Sequence, residues 1–358
     1  MKEEGSRIEK ITELLPEGWR EKARETGAIT RSRKIKTPEE LLRLNLLYQT
    51  SGGSFGKTSA MLKFTEENSL NKNAVYERIL KSKEWLRWMC ENTCRETGYL
   101  APRPEWLEGK TVCLIDGTNE SKRGSKQADF RLHYCMELFT VKMREMLLTE
   151  AVEGEKLSRF HNIGKNDVIL ADRMFGTLQG ISHLIEKECE YVLRLKSGAF
   201  NLYDKTQEKV ELSSYFDYLA ENESGDGLFW YKKDNQYHQI RICAVRKTEE
   251  AVQTGITQIK KSNSKEKRGK VTQKQREYNH FIIVATNLFN QSATRIMELY
   301  RMRWQIELVF KRFKSIFNYD EMPSKLKDSA ETWFYGKLLV AALCESLVNK
   351  GRFSPNPE

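Results

Sequence analysis

The spacing of apolar positions changes three times along this chain, and each change marks a boundary. From residue 1 to about 105 they recur at helical intervals. Pro38-Glu39-Glu40 opens one helix, with Leu41, Leu42, Leu44, Leu46 and Leu47 behind it. A Gly-rich turn from Ser51 to Gly56 follows, then a short helix over Thr58 to Phe64 and a polar turn at Asn68 and Ser69. A longer helix runs through Val75, Ile79, Leu80 and Trp85. Two helices joined by a short turn suit a helix-turn-helix and an ordinary helical bundle equally. The lysines and arginines at Lys57, Lys72, Arg78, Lys81 and Lys83 keep DNA binding open for this region.

From residue 106 the pattern is shorter and denser. Thr111 to Asp116, Leu132 to Leu138, Lys142 to Ala151, Val168 to Asp172 and Tyr191 to Leu195 read as strands, with a helix over Leu178 to Lys187. Strands mixed with helices predict an α/β layer over 106–196. Residues 197–288 read as β-rich, with strands at Leu228 to Tyr231, Tyr237 to Val245 and Phe281 to Ala285. Between the last two lies a run predicted as an exposed basic loop, Lys260 to Arg276, which includes Lys267, Arg268 and Lys270. The segment 289–358 reads as a helix from about Thr294 to Phe317 and an amphipathic helix from Ala330 to Val348.

Charge narrows the class of partner. The chain of 358 residues carries 60 lysines and arginines against 50 acids, a formal net charge of +10. Such a balance favours a polyanionic partner, nucleic acid or an anionic membrane surface. No segment is a candidate span: the apolar stretch Leu338 to Leu343 is far too short. The N-terminal MKEEGSRIEK lacks the apolar core of a secretory signal. The seven cysteines are scattered; Cys113, Cys135 and Cys243 sit in apolar runs as expected of buried thiols, and the pattern fits a reducing cytoplasm.

Ser51-Gly-Gly-Ser-Phe-Gly-Lys-Thr imitates a phosphate-binding loop, but Ser51 stands where the motif needs glycine. The preceding LLRLNLLYQT also reads as helix rather than strand. The stronger chemistry lies elsewhere. Two apolar runs end in aspartate, Asp116 and Asp172. Strand ends in α/β sheets are where ligands meet side chains, and carboxylates on rigid strands suit a hard cation such as magnesium. Taken alone, each aspartate reads as structural, Asp116-Gly117 as a turn signal and Asp172-Arg173 as an ion pair. The segment Tyr300-Arg-Met-Arg303-Trp-Gln-Ile-Glu307, continuing to Lys314, adds a third acid among cations. At about 100° per residue, Tyr300, Arg303, Glu307 and Lys314 fall within about 60° of one another. Met302, Ile306, Phe310, Phe313 and Phe317 form the neighbouring apolar face. A carboxylate beside arginine and lysine suits a phosphate held against a metal.

These four residues resemble the Y-(2)-R-(3)-E-(6)-K signature of insertion-sequence DDE transposases, the insertion-sequence-four family. Asp116-Gly117-Thr118 and Asp172-Arg173-Met174-Phe175-Gly176 resemble the surroundings of that family's two aspartates. The long separation of Asp172 from Glu307 leaves room for the family's β-rich insertion. The resemblance covers roughly residues 106 to 320. It implies an α/β fold: a ribonuclease-H-like catalytic core (106–196 and 289–358) interrupted by a β-rich insertion (197–288), with a helical N-terminal domain (1–105). It also implies catalytic, metal-binding Asp116, Asp172 and Glu307 holding two Mg2+ ions, for which Mn2+ substitutes. Tyr300, Arg303, Lys314 and Arg173 would bind the terminal phosphate, and Lys267, Arg268 and Lys270 are candidate DNA contacts. The expected partners are double-stranded DNA, as terminal inverted repeats and target, and a second copy of the chain on paired ends. The expected location is the bacterial cytoplasm, at the nucleoid. Some relatives flip a base onto a tryptophan of the insertion; here His280-Phe281 occupies the expected strand and Trp230 lies elsewhere. A nuclease without strand transfer and a non-catalytic DNA-binding relative remain as alternatives.

Overall fold

The computed structural model describes residues 11–30, 34–65, 70–93, 103–122, 124–140, 142–265, 269–317, 322–324 and 326–352. In chain order the helices are α1 (Trp19–Glu25), α2 (Pro38–Thr50), α3 (Phe55–Thr65), α4 (Lys72–Lys81), α5 (Lys83–Asn92), α6 (Leu178–Glu186), α7 (Leu212–Tyr215), α8 (Glu249–Lys265), α9 (Gln273–Tyr278), α10 (Ala293–Arg301), α11 (Trp304–Phe317) and α12 (Lys327–Arg352). The strands are β1 (Thr111–Glu120), β2 (Phe130–Glu137), β3 (Met143–Glu150), β4 (Asp167–Ala171), β5 (Glu190–Arg194), β6 (Leu202–Tyr203), β7 (Lys209–Val210), β8 (Ser224–Lys233), β9 (Gln236–Arg246) and β10 (Phe281–Thr286). The chain is a mixed α/β protein, and it divides into two compact units.

The first unit comprises Met1–Pro104, Gly117–Gly154 and Glu307–Glu358. Its entry helix α2 starts with a reciprocal cap: the Thr37 side chain accepts from Glu40 N, and Glu40 reaches back to the Thr37 N–H. Pro38 at the first turn costs no hydrogen bond there. Trp85, Leu41, Leu42 and Trp333 are fully buried among these helices, and Trp85 Nε1 donates to the Trp19 carbonyl at 2.8 Å. The end of β1 adjoins β2, and β2 pairs antiparallel with β3. Tyr335 of α12 donates to the Met146 carbonyl of β3 at 3.3 Å, which ties that helix to the hairpin. The segment that imitates a phosphate loop follows helix α2, not a strand, and its Thr58 is buried and bonded to Ser54 O and Ser51 Oγ.

The second unit comprises Glu105–Asp116 and Glu155–Ile306. Its sheet runs in the order β1-β4-β5-β10-β9-β8-β6-β7. The three strands β1, β4 and β5 are parallel, and every residue of β4 is buried. Strands buried on both faces read as continuous apolar runs, which is why Val168 to Ala171 was visible in the sequence. Helix α6 makes the crossover from β4 to β5, capped by the Thr177 hydroxyl and buried through Ile181 and Leu184. From β5 onward the sheet is antiparallel, with β10 between β5 and β9. Asp234 and Asn235, both at positive φ, make the two-residue turn between β8 and β9.

Three expectations need correction. The helix through Val75 and Trp85 is two helices, because α4 ends at Ser82, whose N–H bonds to Ile79 O and whose hydroxyl bonds back to Arg78 O. The basic run Lys260 to Arg276 is not a loop at its ends: Lys260 and Lys261 lie on α8, and Lys274 and Arg276 on α9, which Thr272 and Gln275 open with a capping box. The helix expected from Thr294 to Phe317 is likewise broken. Met302 N bonds to Leu299 O and Arg303 N to Tyr300 O, followed by Gln305 N to Met302 O and Ile306 N to Arg303 O. These i→i+3 bonds wind more tightly than an α-helix, so α10 and α11 are separate and a constant turn per residue cannot be carried across residues 302–303.

Candidate active site

The site begins with the register of three parallel strands. Ile115 of β1 pairs with Ala171 of β4, and Ala171 pairs with Leu193 of β5. The residues that follow these are Asp116, Asp172 and Arg194, with Asp172 just past the end of β4. Neighbouring strands lie about 4.8 Å apart, so the backbone ladder alone brings two carboxylates and a guanidinium into one row.

Local turns then fix each group. The Met174 N–H donates to Asp172 Oδ1 at 2.8 Å, and the Phe175 N–H donates to the Asp172 carbonyl at 3.1 Å. This turn orients the carboxylate. Phe175 is buried beneath it, while Arg173 and Met174 are exposed. Gly176 closes the turn against β5: a Cβ there would stand 2.1 Å from the Arg194 carbonyl oxygen. Gly180, at the start of α6, is equally confined by the Phe175 carbonyl at 2.5 Å. The glycine of Asp172-Arg-Met-Phe-Gly176 is therefore a packing requirement between the aspartate turn and the end of β5.

Arg303, in the tight turn between α10 and α11, places Nη1 3.6 Å from Asp116 Oδ2. Its guanidinium also lies over the Tyr300 ring, 5.9 Å from the centroid. Tyr300 is buried on α10, and its hydroxyl makes no hydrogen bond among the described residues. Burial pushes the Tyr300 phenol above its ordinary pKa; the cations of Arg303 and Arg194 oppose that, and the Asp172 carboxylate adds to it.

Four expected site residues, Asp116, Asp172, Tyr300 and Arg303, therefore gather in the second unit. Glu307 is the first residue of the other unit's final segment and is exposed in the first turn of α11. Lys314 is on the backbone of α11, and its side chain lies outside the described residues, as do Lys267 and Arg268. Lys270 is exposed. Sequence reasoning missed Arg194. Its signal was a cation closing the apolar run Tyr191-Val-Leu, which gains meaning only once β4 and β5 are paired. Among the described residues no three histidine, cysteine, aspartate or glutamate side chains cluster as a metal site. Two carboxylates in adjacent register nevertheless supply the hard oxygen donors that a divalent cation requires.

Residues 108–343 match the family model described as Transposase DDE domain. The chain belongs to that family. It is 28% identical over 342 residues to the putative transposase InsL for insertion sequence element IS186A of Escherichia coli (strain K12), covering 93% of this chain and 91% of that protein. It is 27% identical over 343 residues to the transposase for insertion sequence element IS421 of Escherichia coli, with the same coverage. The transposase for insertion sequence element IS231F of Bacillus thuringiensis subsp. israelensis is 26% identical over 211 residues, 52% of this chain and 42% of that one. This chain is accordingly a DNA transposase of the DDE type, and membership implies dependence on a divalent metal. No described helix of the transposase is long and apolar enough to cross a membrane.

Proposed function

We propose that this transposase cleaves the ends of its own insertion sequence and joins them to target DNA, with Asp116, Asp172 and Glu307 as the acids that hold two Mg2+ ions. The observation that carries the reading is the register that sets Asp116 beside Asp172. When bound, the divalent cations supply Lewis acidity at the scissile phosphate and lower the pKa of bound water. The protein's own groups do the remaining work. The Asp172 turn holds one carboxylate oxygen through Met174 N–H. Arg303, already against Asp116, is placed to neutralise a phosphate oxygen brought to that carboxylate. Tyr300 offers the same phosphate a hydroxyl that has no other partner. Lys314 and Arg173 complete the phosphate contacts, and Lys267, Arg268 and Lys270 are further DNA contacts.

In this reading β1 to β5 and α6 form a ribonuclease-H-like core with the α10–α11 segment. The neighbour order β3-β2-β1 in one unit and β1-β4-β5 in the other supports it. Residues 197–288 are the β-rich insertion, residues 1–105 bind the terminal repeats, and two copies act on paired ends at the bacterial nucleoid. The test uses a duplex carrying the element's own terminus with Mg2+ or Mn2+. Asp172→Asn and Glu307→Gln are expected to bind it and leave it uncut. Cleavage by either variant at the wild-type rate refutes the assignment of roles. A wild-type chain that cuts but never joins pre-cut ends is a nuclease instead.

A further inference from the structure

Resting on the reading that this chain acts on DNA, we propose that Tyr203, Trp230 and Tyr237, with Lys209 and Lys232, form a stacking surface for an unpaired DNA strand, outside the site at Asp116 and Asp172. Strand register sets these side chains together. Tyr203 of β6 stands opposite Lys209 of β7 and opposite Trp230 of β8, and Trp230 stands opposite Gln239 of β9. Residues directly opposite one another in antiparallel strands share a face. Lys209, Tyr203, Trp230 and Gln239 therefore make one row across four strands. Lys232 and Tyr237, opposite each other and two residues along, make the next row on that face. Two contacts agree with the register. Tyr203 and Tyr237 meet edge to face with ring centroids 5.4 Å apart, and Lys232 Nζ lies 5.9 Å from the Tyr237 centroid.

The two faces of these strands differ. The alternate residues Phe229, Tyr231, Ile240 and Ile242 are buried on the opposite face. On the aromatic face, Arg241 marks where cover ends. It is buried, bonds Asp226 at 2.8 Å, and donates to the Leu288 and Gln291 carbonyls. Its strand partner Leu228 is already 49% exposed. Past that row Lys209, Lys232, Tyr237 and Gln239 are exposed, and Tyr203 and Trp230 are only partly buried. Neighbouring rings left in water mark an interaction surface, and the charges beside them select its occupant. Lysines flank the rings on two sides. Among the described residues of β6 to β9, the one acid on this face is Asp226, which Arg241 neutralises. Rings flanked by cations suit the π-faces and the phosphates of an unpaired strand, whatever its sequence. The surface is an open sheet, so it fits successive bases of one strand rather than a single base enclosed in a pocket.

The full chain is titrated in EDTA with a fluorescent oligothymidylate, read by anisotropy, and with an abasic strand of the same length. Loss of stacking at one ring weakens binding by about 5- to 150-fold. Tyr237→Leu and Trp230→Leu are each expected to lose that much for oligothymidylate, and Tyr237→Phe and Trp230→Phe to keep the wild-type affinity. The wild type is expected to bind the abasic strand as weakly as the leucine variants bind oligothymidylate. Lys209→Gln and Lys232→Gln should each make the slope of log affinity against log salt less negative by about 0.7. Absence of oligothymidylate binding by the wild type, equal binding of the abasic strand, or wild-type affinity in both leucine variants overturns the proposal. A leucine variant that keeps its affinity but changes its mass in light scattering also overturns it, because the face is then a contact between copies. If melting curves show Trp230→Leu to be unfolded, Tyr237→Leu and Lys232→Gln decide, since both positions are exposed. The probe carries no end of the element and no metal is present. Failure of the wild type to cut its ends in Mg2+ would sink the functional reading and leave this measurement standing.

Discussion

Gly176→Ala offers the sharpest separation of site geometry from stability. The added Cβ would lie 2.1 Å from the Arg194 carbonyl oxygen, against at least 3.4 Å for ordinary contact. The turn carrying Asp172, or the end of β5, must therefore yield by about 1.3 Å. Neither is a flexible side chain. Overpacking of this kind costs about 1–3 kcal/mol, and the loss of unfolded-chain freedom on replacing glycine returns about 0.4–1 kcal/mol. The net loss of stability thus lies between zero and about 2.5 kcal/mol, on those same two terms. A misplacement of about 1 Å in a catalytic constellation, by contrast, costs about 10²-fold in rate. The expected outcome is a folded protein that binds the terminal duplex in EDTA and cleaves it about 10²-fold more slowly in Mg2+ under single-turnover conditions. Gly154→Ala is the control, since nothing lies within 4 Å of its Cβ position and its φ is not positive; it should cleave as the wild type does. Wild-type cleavage by Gly176→Ala would refute the claim that this glycine sets the spacing of Asp172 and Arg194.

Further expectations follow from single groups. Tyr300→Phe removes a buried hydroxyl without a hydrogen-bond partner, so its melting temperature should equal or exceed the wild-type value while end cleavage falls; a clear loss of stability with cleavage intact would contradict this. Lys247 has a native pKa near 8, below the ordinary lysine value of about 10.4. The unfolded chain holds a proton that the native state releases between those values, so its stability cost is full below pH 8 and fades as pH rises toward about 10.4. The stability of Lys247→Met relative to wild type should therefore fall between pH 7 and pH 10 by chemical denaturation, and a flat or rising difference would contradict the burial. Thr37→Ala breaks the reciprocal cap of α2 and should cost about 1 kcal/mol, measured by the same denaturation at neutral pH.

The two aspartates were legible because buried parallel strands write themselves as unbroken apolar runs, and Val112 to Ile115 and Val168 to Ala171 do so. The end of α10 was not legible. No proline or glycine marks residues 302–303; the break consists of backbone bonds that choose i→i+3 over i→i+4. The sequence arithmetic set Tyr300, Arg303 and Glu307 on one stripe, yet Tyr300 lies on α10, Arg303 in the turn and Glu307 on α11. What united Tyr300 and Arg303 with Asp116 was the fold around the strand ends, not helical periodicity. Arg194 was hidden for another reason. Its meaning depends on the pairing of β5 with β4, and pairings between distant segments leave no local trace.

The row Asp116, Asp172 and Arg194 has one more implication, for how this centre tolerates change. Its register is set by peptide hydrogen bonds, so it shifts only by whole residues. Substitutions among Val112, Leu114, Ile169 or Val192 can vary volume without stretching the row by fractions of an ångström. The ladder permits only whole-residue steps, and a single step turns a side chain to the opposite face of its strand. Such a centre does not drift under accumulating core mutations. Its register stays intact or is lost at once, whereas changes in the turns beyond the strands, such as Gly176→Ala, displace single groups by fractions of a step.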